Sequence, residues 1–195
     1  MRNTLLLLSL CGLLVACSKE RIPNTQPPGN PEHPEMRYTD LQHAAVHSGF
    51  RKVDLNGDGQ PDLHFKVQLV ADNVLQVTKK QFSVRAEIGS RLLINEQNET
   101  PVFPLLGKIG EGHTGFEWFE VNESVLAERL TGATDTWWDG LWKSAQRRYL
   151  AVQVWVAGRP YHGWVELSVD RAGEQVLLHR AALSVAADRV VRAGY

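Results

Sequence analysis

Apolar and polar residues alternate with a period of two along several segments of the chain. Between residues 63 and 69 the odd-numbered positions are apolar and the even-numbered positions are His, Lys and Gln. The same alternation runs through residues 82–88. This pattern is typical of a β-strand that buries one face. The segment YLAVQVWV, which begins at Tyr149, alternates less cleanly and predicts a strand that is buried on both faces.

Three more strand-like segments follow towards the C-terminus: YHGWVELSVD, EQVLLHRAAL and DRVVRAGY. Turn signals at Gly158-Arg159-Pro160 and Arg171-Ala172-Gly173 separate them. Many strands joined by short turns predict an all-β fold, here a single antiparallel β-sandwich that is jelly-roll-like. One segment, residues 122–130, has a helical spacing with Asn122 as a candidate cap, and we expect a helix there.

The N-terminus has the pattern of a bacterial lipoprotein signal. Arg2 precedes an apolar run over residues 5–16, which is shorter than the roughly 20 residues needed to span a bilayer but fits a signal peptide. The run ends in LVAC, which resembles a lipobox and makes Cys17 the lipidated residue. Cys11 fits less well because Leu10 is too large for the position before the cut. Alternatives are an ordinary secretory signal or an N-terminal anchor.

The sequence therefore divides into a signal peptide (1–16), a tether (17–37) and a β-sandwich domain (38–195). The tether contains five prolines and almost no apolar residues, so it is expected to be extended and disordered. Ser18 follows the cysteine. By resemblance to known lipoprotein sorting rules, this residue favours the outer membrane, with the lipid attaching the protein to the cell envelope.

Cysteine content and charge exclude several function classes. The chain has two cysteines, and both fall in the predicted leader and anchor, so no thiol remains for a disulfide, a zinc site or a nucleophile. The formal net charge is −1, and no basic stripe is present. Binding to nucleic acid is therefore not expected.

An acid-rich stretch, VDLNGDGQPDLHF, lies between two strand-like segments and predicts a Ca²⁺ site. Counted from Asp54 as position 1, Asn56 and Asp58 occupy positions 3 and 5, and Asp62 occupies position 9. Gln60 at position 7 would contribute its backbone carbonyl. Calcium requires six to eight hard oxygen ligands in a flexible shell, and a curled loop with this spacing directs alternate side chains inward.

The loop departs from an EF-hand in an informative way. Gly57 and Gly59 allow the tight curl, and Gly59 stands where an EF-hand also needs glycine. Position 12, however, is Phe65 instead of Glu, and strands replace the flanking helices. The stretch therefore resembles the calcium loops between β-strands in integrin-type propeller blades and many secreted bacterial proteins. The alternative is a simple Asn-Gly or Asp-Gly turn with solvated acids, in which three unneutralised carboxylates would repel one another.

The order of motifs also resembles a group of secreted or lipid-anchored bacterial proteins without an assigned activity. These proteins combine an Asp-rich loop, a YLG…YGW strand pair and a terminal AYE…I-x-AG element. Here the motifs read Tyr149-Leu150-Ala151, His162-Gly163-Trp164 and Arg192-Ala193-Gly194. The resemblance covers residues 50–195 with a variable middle. It implies an architecture and no particular chemistry.

Six tryptophans suggest both packing and recognition. Trp155 and Trp164 lie in strand-like segments and are expected to pack in the core or to seal its edge. Trp137, Trp138 and Trp142 lie in a segment with Gly and Asp that looks like a loop. They are candidate ligand-binding residues that could stack on a glycan or contact an envelope protein, with structural packing as the alternative.

The sequence contains no specific catalytic motif. His43 and His47 have the i, i+4 spacing of a zinc protease, but Ala44 replaces the required Glu. The predicted function is therefore a lipid-anchored envelope protein whose calcium-stabilised sandwich has a non-catalytic binding or structural role. The alternative is a carboxylate-dependent hydrolase acting on glycans, with acids drawn from Glu117, Glu120 and Asp139.

Overall fold

The structure, a computed structural model, describes residues 33–195. The predicted signal peptide, the predicted lipidation site at Cys17 and the predicted tether up to residue 32 lie outside the described residues. The folded part begins before Tyr38, because the first strand starts at Met36. His33 is also part of the fold, since it is buried and its Nε2 accepts the backbone N–H of Arg192 at 3.0 Å.

Thirteen strands form between residues 33 and 195, and this part of the chain contains no helix. The strands are β1 (Met36–Val46), β2 (Gly49–Val53), β3 (Leu63–Asp72), β4 (Val77–Ala86), β5 (Ser90–Ile94), β6 (Lys108–Ile109), β7 (Glu117–Glu120), β8 (Glu123–Thr131), β9 (Thr136–Asp139), β10 (Arg148–Val156), β11 (Arg159–Asp170), β12 (Gln175–Ser184) and β13 (Val191–Arg192). The described residues accordingly include no helix long and apolar enough to cross a bilayer.

The strands form two main antiparallel sheets that pack against each other. Sheet A has six strands in the order β1-β12-β11-β10-β5-β7, and sheet B has five in the order β2-β3-β4-β8-β9. A small third sheet pairs β13 with β6. Within the main sheets, β2-β3-β4 and β10-β11-β12 are successive hairpins. The predicted all-β, antiparallel sandwich is confirmed.

One hydrophobic core fills the space between sheets A and B. Its buried side chains come from both sheets and include Phe65, Phe82, Val84 and Leu126 of sheet B and Leu92, Val152, Val165 and Leu178 of sheet A. The first apolar residues of the two alternating segments, 63–69 and 82–88, are buried in this core, namely Leu63 and Phe65 in the first and Phe82, Val84 and Ala86 in the second. Ile88 does not follow, because β4 ends at Ala86 and the Ile88 side chain is exposed.

The outer face of sheet A is also covered, which explains the continuous apolar pattern of β10. A second buried cluster includes Tyr149, Trp164 and Val191, so the small third sheet and its loops form an additional layer. The Tyr149 and Trp164 rings meet edge-to-face with centroids 5.2 Å apart. Trp164 is therefore a core residue, as predicted. Gly163 beside it is required sterically, since a Cβ there would collide with the carbonyl oxygen of Ala182.

The expected helix over residues 122–130 is wrong, because this segment forms β8 between β4 and β9. A bulge explains the misleading pattern: Phe82 pairs with Ala127 and Ser83 with Val125, which leaves Leu126 as an extra residue. The extra residue shifts the phase of burial and imitates a helical spacing. Pairing with two neighbouring strands then overrides the local preference.

Candidate cation-binding loop and neighbouring sites

The acid-rich loop connects β2 to β3 and curls around the carboxylate of Asp54. Asp54 Oδ1 accepts the backbone N–H of Gly57 at 2.7 Å, and Oδ2 accepts that of Gly59 at 2.9 Å. Gly57 and Gly59 have φ angles of 74° and 86°, in the left-handed region that favours glycine. The two glycines therefore have the turn-forming role that their positions predict.

Asp58 and Asn56 form a second layer of the same turn. Asp58 Oδ1 accepts the backbone N–H of Gln60 at 2.7 Å, and its Oδ2 accepts the Asn56 side-chain amide at 3.0 Å. Asn56 Oδ1 in turn accepts the backbone N–H of Asp58 at 2.9 Å. The Gln60 amide and, to a lesser extent, the Asn56 amide lower the pKa of Asp58 below its ordinary value. Asp58 is exposed and carries its charge at neutral pH.

Asp62 closes the loop from the inside. It is buried, and its Oδ2 accepts the backbone N–H of Leu55 at 2.6 Å while Oδ1 accepts the Ser90 hydroxyl at 2.8 Å. Its own N–H donates to the carbonyl of Val53 at 2.8 Å. Burial raises the pKa of Asp62, although the amide and hydroxyl donors oppose this shift.

The loop lies where the two main sheets meet. Its chain belongs to sheet B, but Asp62 contacts Ser90 at the start of β5 in sheet A. Arg37 on β1, also in sheet A, donates from Nη1 to the carbonyl of Asn56. The loop is thus tied to sheet A at two points, and its conformation is coupled to the packing of the sandwich.

The predicted calcium ligands fit the ion in type, but they are not all assembled. Each carboxylate oxygen of Asp54 and Asp58 accepts one hydrogen bond, so one lone pair on each remains for a cation. Asp62 instead faces Leu55 and Ser90. Within residues 33–195 no group of three or more His, Cys, Asp or Glu side chains is arranged to hold a metal ion. Coordination by all three aspartates would therefore require the loop to rearrange around the ion.

The three candidate tryptophans lie in different environments. Their segment forms strand β9 and a following turn instead of the expected loop. Trp142 is completely buried, and its Nε1 donates to the carbonyl of Thr100 at 2.9 Å. Trp138 is half-buried and stacks on Phe82 with centroids 5.6 Å apart. Only Trp137 of the three is substantially accessible, at 43 % of its surface. The three rings do not form one exposed surface.

Two of the three acids considered for a hydrolase, Asp139 and Glu120, have structural partners. Asp139 lies on the edge strand β9, bonds the N–H of Gly140 at 2.8 Å and pairs with Lys143 at 3.2 Å. The Gly140 amide, followed by Lys143, lowers the pKa of Asp139, whereas a general acid needs a raised pKa. Glu120 lies with Glu117 on β7, the edge of the other sheet, and accepts the N–H of Gly89 at 2.9 Å.

A hydrogen-bonded relay that sequence reasoning missed joins β1, β12 and β11. The Ser168 hydroxyl accepts the N–H of Arg147 at 2.9 Å and is hydrogen-bonded to His179 Nε2 at 2.8 Å. His179 Nδ1 is in turn hydrogen-bonded to His43 Nδ1 at 2.7 Å. Burial lowers the pKa of His179, and Arg147 adds to this shift. His43 thus pairs with a histidine 136 positions away instead of with His47.

An ion triad around one buried carboxylate, that of Glu166, lies next to this relay. Glu166 is only 1 % exposed and accepts Arg147 Nε at 2.8 Å and Arg180 Nε at 2.7 Å. The hydrogen bond that Arg180 donates to Glu166 raises the pKa of Arg180. The sequence did carry a signal for this site, because a single acid inside the apolar strand WVELSV needs a partner when buried.

Comparisons of the chain with protein-family models, with curated proteins and with solved structures give no significant match. The resemblance to the secreted and lipid-anchored bacterial proteins therefore stays a prediction. Function has to be inferred from the geometry of the sites.

Proposed function

We propose that this chain is a lipid-anchored protein of the bacterial cell envelope, held at the outer membrane through Cys17. Its sandwich is stabilised by Ca²⁺ in the Asp54–Asp62 loop and has a non-catalytic role, either structural or in binding a glycan or an envelope protein. The Cys17 anchor is supported by the LVAC motif and the short apolar run before it.

The observation that carries the calcium part of the proposal is the position of the loop between the sheets. Asp62 contacts Ser90, and Arg37 contacts Asn56, so the loop touches sheet A twice. Two carboxylates, the half-buried Asp54 and the exposed Asp58, keep free lone pairs on the same turn. A bound Ca²⁺ would supply charge neutralisation and hard-oxygen coordination there. Because the loop contacts β1 and β5, its stabilisation would hold these two strands of sheet A against sheet B.

Thermal unfolding of the full chain tests this proposal. A ligand that binds only the folded state, at a hundredfold excess over its Kd, stabilises it by about 2.7 kcal/mol. In a domain of this size, that corresponds to a rise in Tm of roughly 5–11 °C. Asp58→Asn removes a ligand charge but keeps an oxygen for the Gln60 amide, so it should abolish the rise.

Asp170→Asn is the matched control, because Asp170 is another turn aspartate that accepts backbone N–H groups, from Ala172 and Gly173. This variant should keep the full response to Ca²⁺. A wild-type Tm that is the same in millimolar Ca²⁺ and in chelator would reject the stabilising role. An equal response in Asp58→Asn and wild type would reject the assigned loop.

A further inference from the structure

A second candidate site lies at the opposite end of the sandwich from the acid-rich loop. There a solvent-open cleft of about 610 Å³ lies between sheet B and the β11–β12 turn of sheet A, within the range of small-molecule pockets. The acid-rich loop precedes Leu63, which pairs with Ala86, whereas the cleft surrounds Leu69, which pairs with Lys80. The cleft is lined by His47, Ser48, Gly49, Val67, Gln68, Leu69, Thr78, Lys80, Arg129, Thr131 and Glu174.

The core-facing side of sheet B changes from apolar to cationic in this cleft. Lys80 lies directly between Leu69 on β3 and Arg129 on β8, so the three residues form one row across the sheet. The preceding row contains Val67 and Phe82, which pack on the core. Lys80 Nζ lies 5.6 Å from the Phe82 ring centroid. Two cations therefore face the gap between the sheets, directly beside an apolar wall.

Like charges in directly opposite positions of neighbouring strands destabilise a sheet. Here one carboxylate compensates for both cations: Glu174 accepts Lys80 Nζ at 3.0 Å on Oε2 and Arg129 Nε at 3.0 Å on Oε1. Glu174 comes from the β11–β12 turn of the other sheet and has a φ of 48°, which is uncommon for a residue other than glycine. A glutamate therefore occupies this turn position at a conformational cost.

The charge balance of the row favours an anion. Two cations share one carboxylate, which leaves a local excess of one positive charge. The Lys80 and Arg129 side chains are only 22 % and 31 % exposed, so water screens them less than it screens surface charges. The turn that carries Glu174 is exposed at residues 171–173.

We propose that this cleft binds a small amphipathic carboxylate. The ligand carboxylate takes the place of the Glu174 carboxylate between Lys80 and Arg129, and its alkyl chain lies along Val67 and Leu69. Glu174 acts as an internal competitor that closes the cationic pair when no ligand is present. This site is independent of the calcium proposal, since it involves the other end of β3 and β4.

Isothermal titration of the full chain with hexanoate tests the site. Hexanamide has the same chain without the charge, and acetate has the charge without the chain. Saturable binding of hexanoate is expected, with both control ligands at least tenfold weaker. The site is rejected if hexanoate does not bind, if hexanamide binds equally well, or if acetate matches hexanoate.

Four variants assign the binding to the named residues. Lys80→Gln and Arg129→Gln should each weaken hexanoate binding at least tenfold. Lys79→Gln is the matched control, because Lys79 is the neighbouring residue on the opposite face of β4 and pairs with Asp72 at 2.9 Å. It should leave the affinity unchanged. Glu174→Gln removes the internal competitor and should tighten binding severalfold.

Glu174→Gln also distinguishes a ligand site from a purely structural ion pair. If the ion pairs of Glu174 with Lys80 and Arg129 were only structural, losing Glu174 would lower Tm without improving hexanoate binding. That result overturns the proposal. Equal affinity in Lys80→Gln, Lys79→Gln and wild type overturns it as well. Circular dichroism establishes which variants are folded. If Lys80→Gln does not fold, the Glu174→Gln affinity decides the question, because that variant retains both cations.

Discussion

Neutralising Glu166 should destabilise the sandwich far more than neutralising an exposed acid. The carboxylate is 1 % exposed and binds one arginine with each oxygen, at 2.8 and 2.7 Å. Glu166→Gln preserves the shape but can accept from only one arginine, because the new amide N–H₂ faces the donor of the other. A hydrogen bond to a charged group contributes about 1.5–3 kcal/mol.

Two effects reduce the expected loss. The side chains of Arg147 and Arg180 are 58 % and 40 % exposed, so both can regain water. Removing the buried negative charge also relieves its desolvation. We therefore expect a loss of about 2–3 kcal/mol in the free energy of unfolding. In a domain of this size, this is a fall in Tm of roughly 4–12 °C.

Urea unfolding monitored by tryptophan fluorescence measures this loss. Asp188→Asn is the control, because Asp188 binds Arg159 through two hydrogen bonds of 2.9 and 2.7 Å at an exposed position. Exposed ion pairs contribute little, so the control should unfold at nearly the wild-type urea concentration. If Glu166→Gln is as stable as Asp188→Asn, the buried Glu166 carboxylate and its two arginines do not stabilise the fold in the way that their geometry implies.

Three further predictions concern the core, the pH response and the anchor. Trp142→Ala should cost about 3–5 kcal/mol, because the ring is fully buried, and Trp137→Ala should cost far less. Similar urea midpoints would contradict these assignments. Burial lowers the pKa values of His162 and His179 in the folded state. As pH falls below about 6.5, the unfolded state therefore binds more protons than the folded state and is favoured by them. Stability should therefore decrease from pH 7.5 to 5.5, and a flat or rising profile would refute this. Cys17→Ser should release the protein from the membrane fraction, whereas a variant that stays bound would exclude the lipid anchor.

Local sequence patterns were sufficient to predict the strands with clean or continuous apolar periodicity. These strands include β3, β10 and β12. The sequence also predicted the turn-forming role of the glycines in the acid-rich loop. The pattern failed where geometry depends on a partner strand. In β8 the bulge at Leu126 appears only when the strand is paired with β4, so the isolated segment looks helical. The short strands β7 and β9 have too few residues for alternation to show.

The contacts that define the sites are mostly long-range and could not be read from spacing. His43 meets His179 across 136 positions, and Lys80 meets Glu174 across 94. Nothing local to either residue encodes such a partner. For Trp142, the local sequence was misleading: the neighbouring Gly and Asp residues suggested that the ring would be exposed. Its position after β9 instead turns the ring inward, where its N–H reaches Thr100.

The most direct test of the account is a measurement of Ca²⁺ binding to the full chain. Titration up to about 10 mM covers the 10⁻⁴–10⁻³ M range of extracellular calcium modules with a tenfold margin. We expect one ion per wild-type chain, no saturable binding in Asp58→Asn and wild-type binding in Asp170→Asn. Absence of saturable binding by the wild-type chain, or an ion that still binds when Asp58 is neutralised, would contradict the calcium-stabilised loop.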